Sequence, residues 1–117
     1  MKHTELEIEI SNLEGKKWKK VKGLVDTGAT LTTIPKSLAD ELEIKEIREE
    51  EIETAAGRIK IKRGNARIKI GNKEEIVPIW ISDIIDRVLI GSVTLEVFGL
   101  SVDPVTGKLI EKSLILY

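Results

Sequence analysis

The segment Glu5-Leu6-Glu7-Ile8-Glu9-Ile10 alternates carboxylate and hydrocarbon, residue by residue. Successive side chains of a strand point to opposite faces, so this pattern suits a sheet with one wet face and one buried face. The rest of the chain keeps the same short rhythm. A turn at Asn12 to Gly15 leads into a second strand, Trp18 to Val25, and Leu31-Thr32-Thr33-Ile34 is β-branched enough to form a third. From Glu46 to Ile81, strand-forming stretches are broken by turn signals at Ala56-Gly57, Gly64-Asn65 and Gly71-Asn72, which predicts a meander of hairpins. Val88-Leu89-Ile90 reads as a short apolar strand stopped by Gly91. The stretches Leu100 to Asp103 and Lys108 to Glu111 flank a turn at Pro104 to Gly107 as one more hairpin. Helical spacing is confined to two places. Pro35 can open a helix of about two turns in which Leu38, Ala39 and Leu42 share a face. Ser92 can cap a brief second helix that Gly99 ends. The chain is therefore mostly β with two short helices.

Its 117 residues supply one average domain, so a single domain is expected over residues 1–117. With 41% hydrophobic and 33% charged residues, and 19 basic against 20 acidic side chains, the composition is that of a soluble globular protein with no polyanionic partner. No apolar run approaches the roughly 20 residues that span a bilayer, and the first residues alternate instead of forming a signal-peptide core, which points to the cytoplasm. The absence of Cys and the single His remove thiol nucleophiles, disulfides and the usual zinc clusters. Chemistry is left to carboxylates, hydroxyls and backbone, without a metal or cofactor.

One stretch invites chemistry. In Gly23-Leu24-Val25-Asp26-Thr27-Gly28-Ala29-Thr30 a carboxylate ends an apolar run. Desolvating an ionised Asp is costly unless hydrogen-bond donors receive it. The Gly28 N–H can reach back to that carboxylate, and the Thr27 hydroxyl can bond across to a neighbouring chain. The bland alternative is a tight turn in which Asp and Gly serve geometry alone.

The stretch Leu24-Val25-Asp26-Thr27-Gly28-Ala29-Thr30 resembles the catalytic loop of retropepsin-like aspartic proteases, where two apolar residues precede Asp-Thr-Gly and Ala or Ser follows. Leu89-Ile90-Gly91, followed by the second helix, resembles the apolar-apolar-Gly strand end of that family. The hairpin Glu53 to Arg58, with small residues at its tip, is similar to its flap. The likeness runs from about Trp18 to Gly99. It implies a closed β barrel and an endopeptidase that acts on peptide or protein substrates as a homodimer, with Asp26 catalytic and Thr27, Gly28 and Ala29 supporting it. It further implies substrate contacts from Leu24, Gly28, Ala56, Gly57 and Leu89. Only one Asp-Thr-Gly occurs in the chain. Asp103-Pro104-Val105-Thr106-Gly107 lacks the spacing and reads as a plain turn, and Asp83 and Asp86 lack the Thr-Gly. A second carboxylate must then come from a second copy across a two-fold axis. Two Asp side chains about 3 Å apart cannot both ionise readily and share one proton, which divides acid and base roles between them. The terminal stretch Lys112 to Tyr117 is suited to tying such a dimer.

Three departures from the family pattern carry expectations of their own. Thr30 and Ser92 stand where many retroviral members place an acidic residue and an Arg, so an ion pair near the dimer seam is missing. The flap lacks a Gly-rich tip. Ala29 offers no hydroxyl to an ionised dyad, unlike the Ser or Thr of pepsin-like enzymes, which implies a less acidic optimum. These departures leave open a catalytically silent module that dimerises or binds peptides. The cluster Lys16-Lys17-Trp18-Lys19-Lys20-Val21-Lys22 opens a weaker nucleic-acid reading, but a solvated edge hairpin explains it better. His3 reads as exposed, and Trp80 as a core or interface residue.

Overall fold

The first strand, β1 (Glu5–Ser11), carries out the alternation of its sequence, with Ile8 and Ile10 in the core and Glu5 and Glu7 at the surface. It runs antiparallel to β2 (Trp18–Val25) in unbroken register from Glu5 opposite Leu24 to Ser11 opposite Trp18. The structure, a computed structural model, describes residues 4–112 together with Ile115 and Leu116. His3 and most of the terminal stretch after Lys112 lie outside the described residues.

After β2 come β3 (Thr32–Pro35), α1 (Lys36–Glu41), β4 (Arg48–Thr54), β5 (Gly57–Ile70), β6 (Lys73–Ser82), β7 (Val88–Ile90), α2 (Ser92–Val97), β8 (Leu100–Val102) and β9 (Leu109–Glu111). The main sheet has the order β1-β2-β7-β3-β6-β5-β4. Its ends are joined because β1 also pairs with β5, Ile10 opposite Ile68, so the strands from β1 round to β5 close a barrel and β4 is left outside as an edge. Ile10, Ile34, Ile68, Val77, Ile79 and Ile90 fill the barrel with no exposed surface. Each such side chain contributes about 1.5–3 kcal/mol by leaving water. Leu95 of α2 and Phe98 just after it join the same core. The β8–β9 hairpin forms a small separate sheet.

The predicted turn at Gly64-Asn65 is absent. β5 runs straight through it as a 14-residue strand, with Gly64 opposite Ile79 and Asn65 opposite Pro78. Glycine serves a close approach here, because a Cβ on Gly64 would lie 2.9 Å from the Lys45 carbonyl oxygen. A missing side chain, not a bend, explains the residue.

The feature that positions the site is the placing of β7. It lies parallel to β2, with Leu24 opposite Leu89 and Val25 opposite Ile90, and antiparallel to β3 at Thr33 opposite Leu89. Strands β2 and β3, neighbours in sequence, are thus separated in space by a strand from far downstream, and the loop joining them has to cross its end. That loop is Asp26 to Leu31.

Candidate active site

Asp26 follows the last residue of β2 and is half-buried, while Thr27 and Gly28 beside it are exposed. Its backbone N–H donates to the Ile90 carbonyl at 2.9 Å, which seats the loop on the end of β7. The Gly28 N–H donates to the Asp26 carboxylate at 3.0 Å, and the Ala29 N–H closes the turn onto the Asp26 carbonyl at 3.1 Å. That bond gives the carboxylate a fixed backbone donor at the end of the apolar strand.

The second helix grips the same loop. The Ser92 N–H donates to the Ala29 carbonyl at 2.9 Å and the Val93 N–H to the Thr30 carbonyl at 3.0 Å. The first N–H groups of a helix lack partners within it, and here the loop carbonyls receive them. Ser92 is therefore not the cap that its sequence suggests: Gly91 occupies the cap position and no side chain bonds there. A hydroxyl is redundant when backbone carbonyls already take the donors. The approach is close enough that a Cβ on Gly91 would lie 2.6 Å from the Leu31 carbonyl oxygen. Main-chain bonds thus hold α2 to the loop at Thr30 and Ser92, where the retroviral pattern places an ion pair.

Leu24 and Leu89 sit opposite each other in the parallel register, both half-buried, next to Asp26 in the strands. Leu24, Asp26 and Thr27 also line a cavity of about 550 Å³ together with Pro104, Val105 and Gly107. The turn that reads as plain in the sequence is therefore a wall of the Asp26 cavity. It is anchored there through Thr4, whose hydroxyl donates to the Gly107 carbonyl and whose own carbonyl accepts the Val25 N–H at 2.8 Å. Nothing in its local sequence signals this, since the contact spans most of the chain. The Asp103 carboxylate accepts the N–H groups of Val105 at 2.8 Å and Thr106 at 3.4 Å. The Val105 N–H, first among these donors, holds the Asp103 carboxyl below its ordinary range.

Ala56 and Gly57 lie at the tip of the β4–β5 hairpin and contribute nothing to the Asp26 cavity. Thr54 fastens the tip, donating to the Gly57 carbonyl at 2.8 Å and accepting the Ala56 N–H at 3.2 Å. One face of the hairpin carries Ile52 opposite Ile59. The other pairs Glu49 with Lys62 at 3.2 Å, and both Glu51 and Glu53 with Arg58 at 3.3 and 3.2 Å. At its root, the Glu50 carboxylate receives Arg63 at 2.8 Å and the Trp80 indole N–H at 3.1 Å. The Arg63 guanidinium, with Trp80 second, holds the Glu50 carboxyl below the usual carboxylate range. Trp80, which the sequence reads as a core or interface residue, is a half-buried tie between barrel and hairpin.

Two further residues escape sequence reading. Thr32 and Thr94 are buried with their hydroxyls 2.6 Å apart, and Thr32 also accepts the Gly91 N–H at 3.1 Å. β-branching alone accounted for Thr32 in the sequence. In the basic cluster, Lys17 pairs with Glu43 at 3.1 Å, Lys19 with Glu41 at 3.0 Å and Lys20 with Glu7 at 3.8 Å, while Lys69 covers the Trp18 ring at 4.1 Å. Among the described residues no helix is long and apolar enough to cross a membrane.

A family model described as aspartyl protease matches residues 7–102. Solved structures similar to this chain include three proteases. An inhibitor complex of EIAV protease is 17% identical with a TM-score of 0.67, covering 98% of this chain and 94% of that one. The protease of simian foamy virus is 22% identical with a TM-score of 0.58, covering 81% and 94%. A retropepsin-like aspartic protease from Rickettsia conorii is 26% identical with a TM-score of 0.61, covering 86% and 84%. No curated protein matches this sequence.

Proposed function

The chain belongs to the aspartyl protease family and has the retropepsin-like barrel, and from that premise we propose that it is an endopeptidase in which Asp26 of each of two copies forms the catalytic pair. The observation that carries this reading is the seat of Asp26. Its carboxylate is anchored by the Gly28 N–H, its backbone is tied to Ile90, and exposed Thr27 and Gly28 follow it, Asp26 and Thr27 lying on a cavity wall. Asp103 is the other carboxylate of that cavity, and it is engaged by its own turn. A two-fold contact through the Asp26 loops supplies the missing partner.

In the pair, one carboxylate takes a proton from water as that water adds to the scissile carbonyl, and the other gives its proton to the departing amide nitrogen. Thr27 bonds across to the second loop, and Gly28 offers its backbone to the substrate. Ala29 supports the turn. Leu24 and Leu89 present hydrocarbon to the residues beside the cleaved bond, and the hairpin with Ala56 and Gly57 at its tip covers the bound peptide. No metal or cofactor enters the scheme. The carboxylates around Lys17, Lys19 and Lys20 argue against a nucleic-acid role for that cluster. A cytoplasmic site of action belongs to the same proposal.

Cleavage of a mixed peptide library across pH, by wild type and by Asp26→Asn, tests the reading. Activity abolished by the substitution and by a statine-type inhibitor supports the protease. Equal activity in both proteins would falsify it, and a wild type that binds peptides without cutting them is the silent module. Sedimentation tests the pairing separately, because a strictly monomeric protein at high concentration cannot assemble two copies of Asp26.

A further inference from the structure

We infer that Thr32 and Thr94 are positioning residues for Asp26, acting through the Ile90–Gly91 peptide; the inference rests on the protease reading above. Thr32 on β3 is 0% exposed and Thr94 on α2 is 1% exposed. Valine would fill nearly the same volume at either place, so shape alone does not call for a hydroxyl. A buried hydroxyl is costly unless it is bonded, and these two bond each other at 2.6 Å.

Thr32 Oγ1 also accepts the Gly91 N–H at 3.1 Å. On its other side the same peptide unit offers the Ile90 carbonyl to the Asp26 N–H at 2.9 Å. One planar amide is therefore clasped at both ends, by the hydroxyl pair and by the catalytic residue. Because the amide is rigid, a shift of its N–H is passed to its carbonyl. Hydrogen bonds in series also polarise one another, so an acceptor on the Gly91 N–H strengthens the Ile90 carbonyl as the acceptor for Asp26. Gly91 is pressed against the Leu31 backbone and has little room to adjust. The hydroxyl pair thus fixes where the Asp26 backbone sits while touching neither carboxylate nor substrate.

The test compares Thr32→Val and Thr94→Val with Thr32→Ser and Thr94→Ser in the full chain. The expected result is a fall in kcat of about tenfold for the valine variants at nearly constant KM, and recovery by serine, which keeps the hydroxyl. The Asp26 amide proton resonance moves upfield in the valine variants as its hydrogen bond weakens, and returns with serine. Folded, dimeric valine variants with wild-type kcat and an unmoved Asp26 amide resonance overturn the inference. If wild type itself does not cleave, the protease reading fails, and the amide resonance still decides whether the hydroxyls position Asp26. If Thr32→Val does not fold, Thr94→Val against Thr94→Ser decides, since it removes the hydroxyl that holds Thr32 Oγ1 against the Gly91 N–H; wild-type kcat and an unmoved Asp26 amide resonance in folded Thr94→Val then overturn the inference.

Discussion

The carbonyl of Ala29 accepts the N–H of Ser92, joining the loop that holds Asp26 to the first turn of α2 through backbone alone. Ser92→Ala is therefore expected to change stability by no more than about 0.5 kcal/mol, as a surface substitution does. A true serine cap would cost about 1 kcal/mol on the same change. Ser92→Pro removes the donor and should cost about 1–3 kcal/mol, although the first turn of a helix ordinarily tolerates proline. Urea denaturation of the two variants separates the cases.

Gly91→Ala places a methyl group against the Leu31 carbonyl, where backbone must yield instead of a flexible side chain. A loss of about 1–3 kcal/mol is expected from overpacking, together with loss of cleavage because the displaced backbone is the floor of the Asp26 loop. Ser92→Ala, one residue along, serves as the control. A Gly91→Ala protein with wild-type melting temperature and activity contradicts this account of the loop.

Asp103→Asn keeps an acceptor for the Val105 N–H and should leave cleavage within about twofold of wild type, in contrast with Asp26→Asn. Loss of activity in both variants would place the second carboxylate in the same chain. The single-chain and two-copy readings are thereby distinguished with one peptide substrate.

Acid should loosen the root of the β4–β5 hairpin. The Glu50 carboxyl lies below its reference value of 4.5 in the folded chain, chiefly through Arg63. A depressed carboxyl contributes stability that is present above the unfolded value and is lost as pH falls through the folded one. The melting temperature should therefore fall as pH drops below 4.5, and fall less in Glu50→Gln. Fluorescence of Trp80, which donates to the same carboxylate, should change over that window. An identical pH dependence in wild type and Glu50→Gln removes this explanation.

On the protease reading, replacing Ala29 with Ser offers a hydroxyl to the proposed Asp26 pair and should shift the rate profile toward acid. Kinetics from about pH 3 to pH 7 read the shift directly, and an unmoved profile contradicts the role given to that position.

What the sequence shows of this fold is what repeats locally. The alternation of β1, the hairpin turn at Gly71-Asn72 and both helices stand where periodicity puts them. Asp26-Thr27-Gly28 shows itself because a carboxylate, a donor and a glycine sit side by side. Gly64 and Ser92 mislead for one reason: each answers to a backbone distant in sequence, Lys45 for the first and Ala29 for the second. The wall of the cavity at Pro104 and Val105 is illegible for the same cause, being held by Thr4 from the other end of the chain. Local pattern reports propensity, and such partners belong to topology.

The insertion of β7 between β2 and β3 also governs when the site can exist. During synthesis the Asp-Thr-Gly stretch emerges before the groups that seat it, on Ile90, Ser92 and Val93, which follow only after most of the barrel. Contacts between such distant residues form slowly compared with local hairpins. A nascent chain consequently carries the motif without its seat. The loop is seated only once β7 and α2 have been made, and a fragment that stops before Gly91 should hold no seated Asp26 at any concentration.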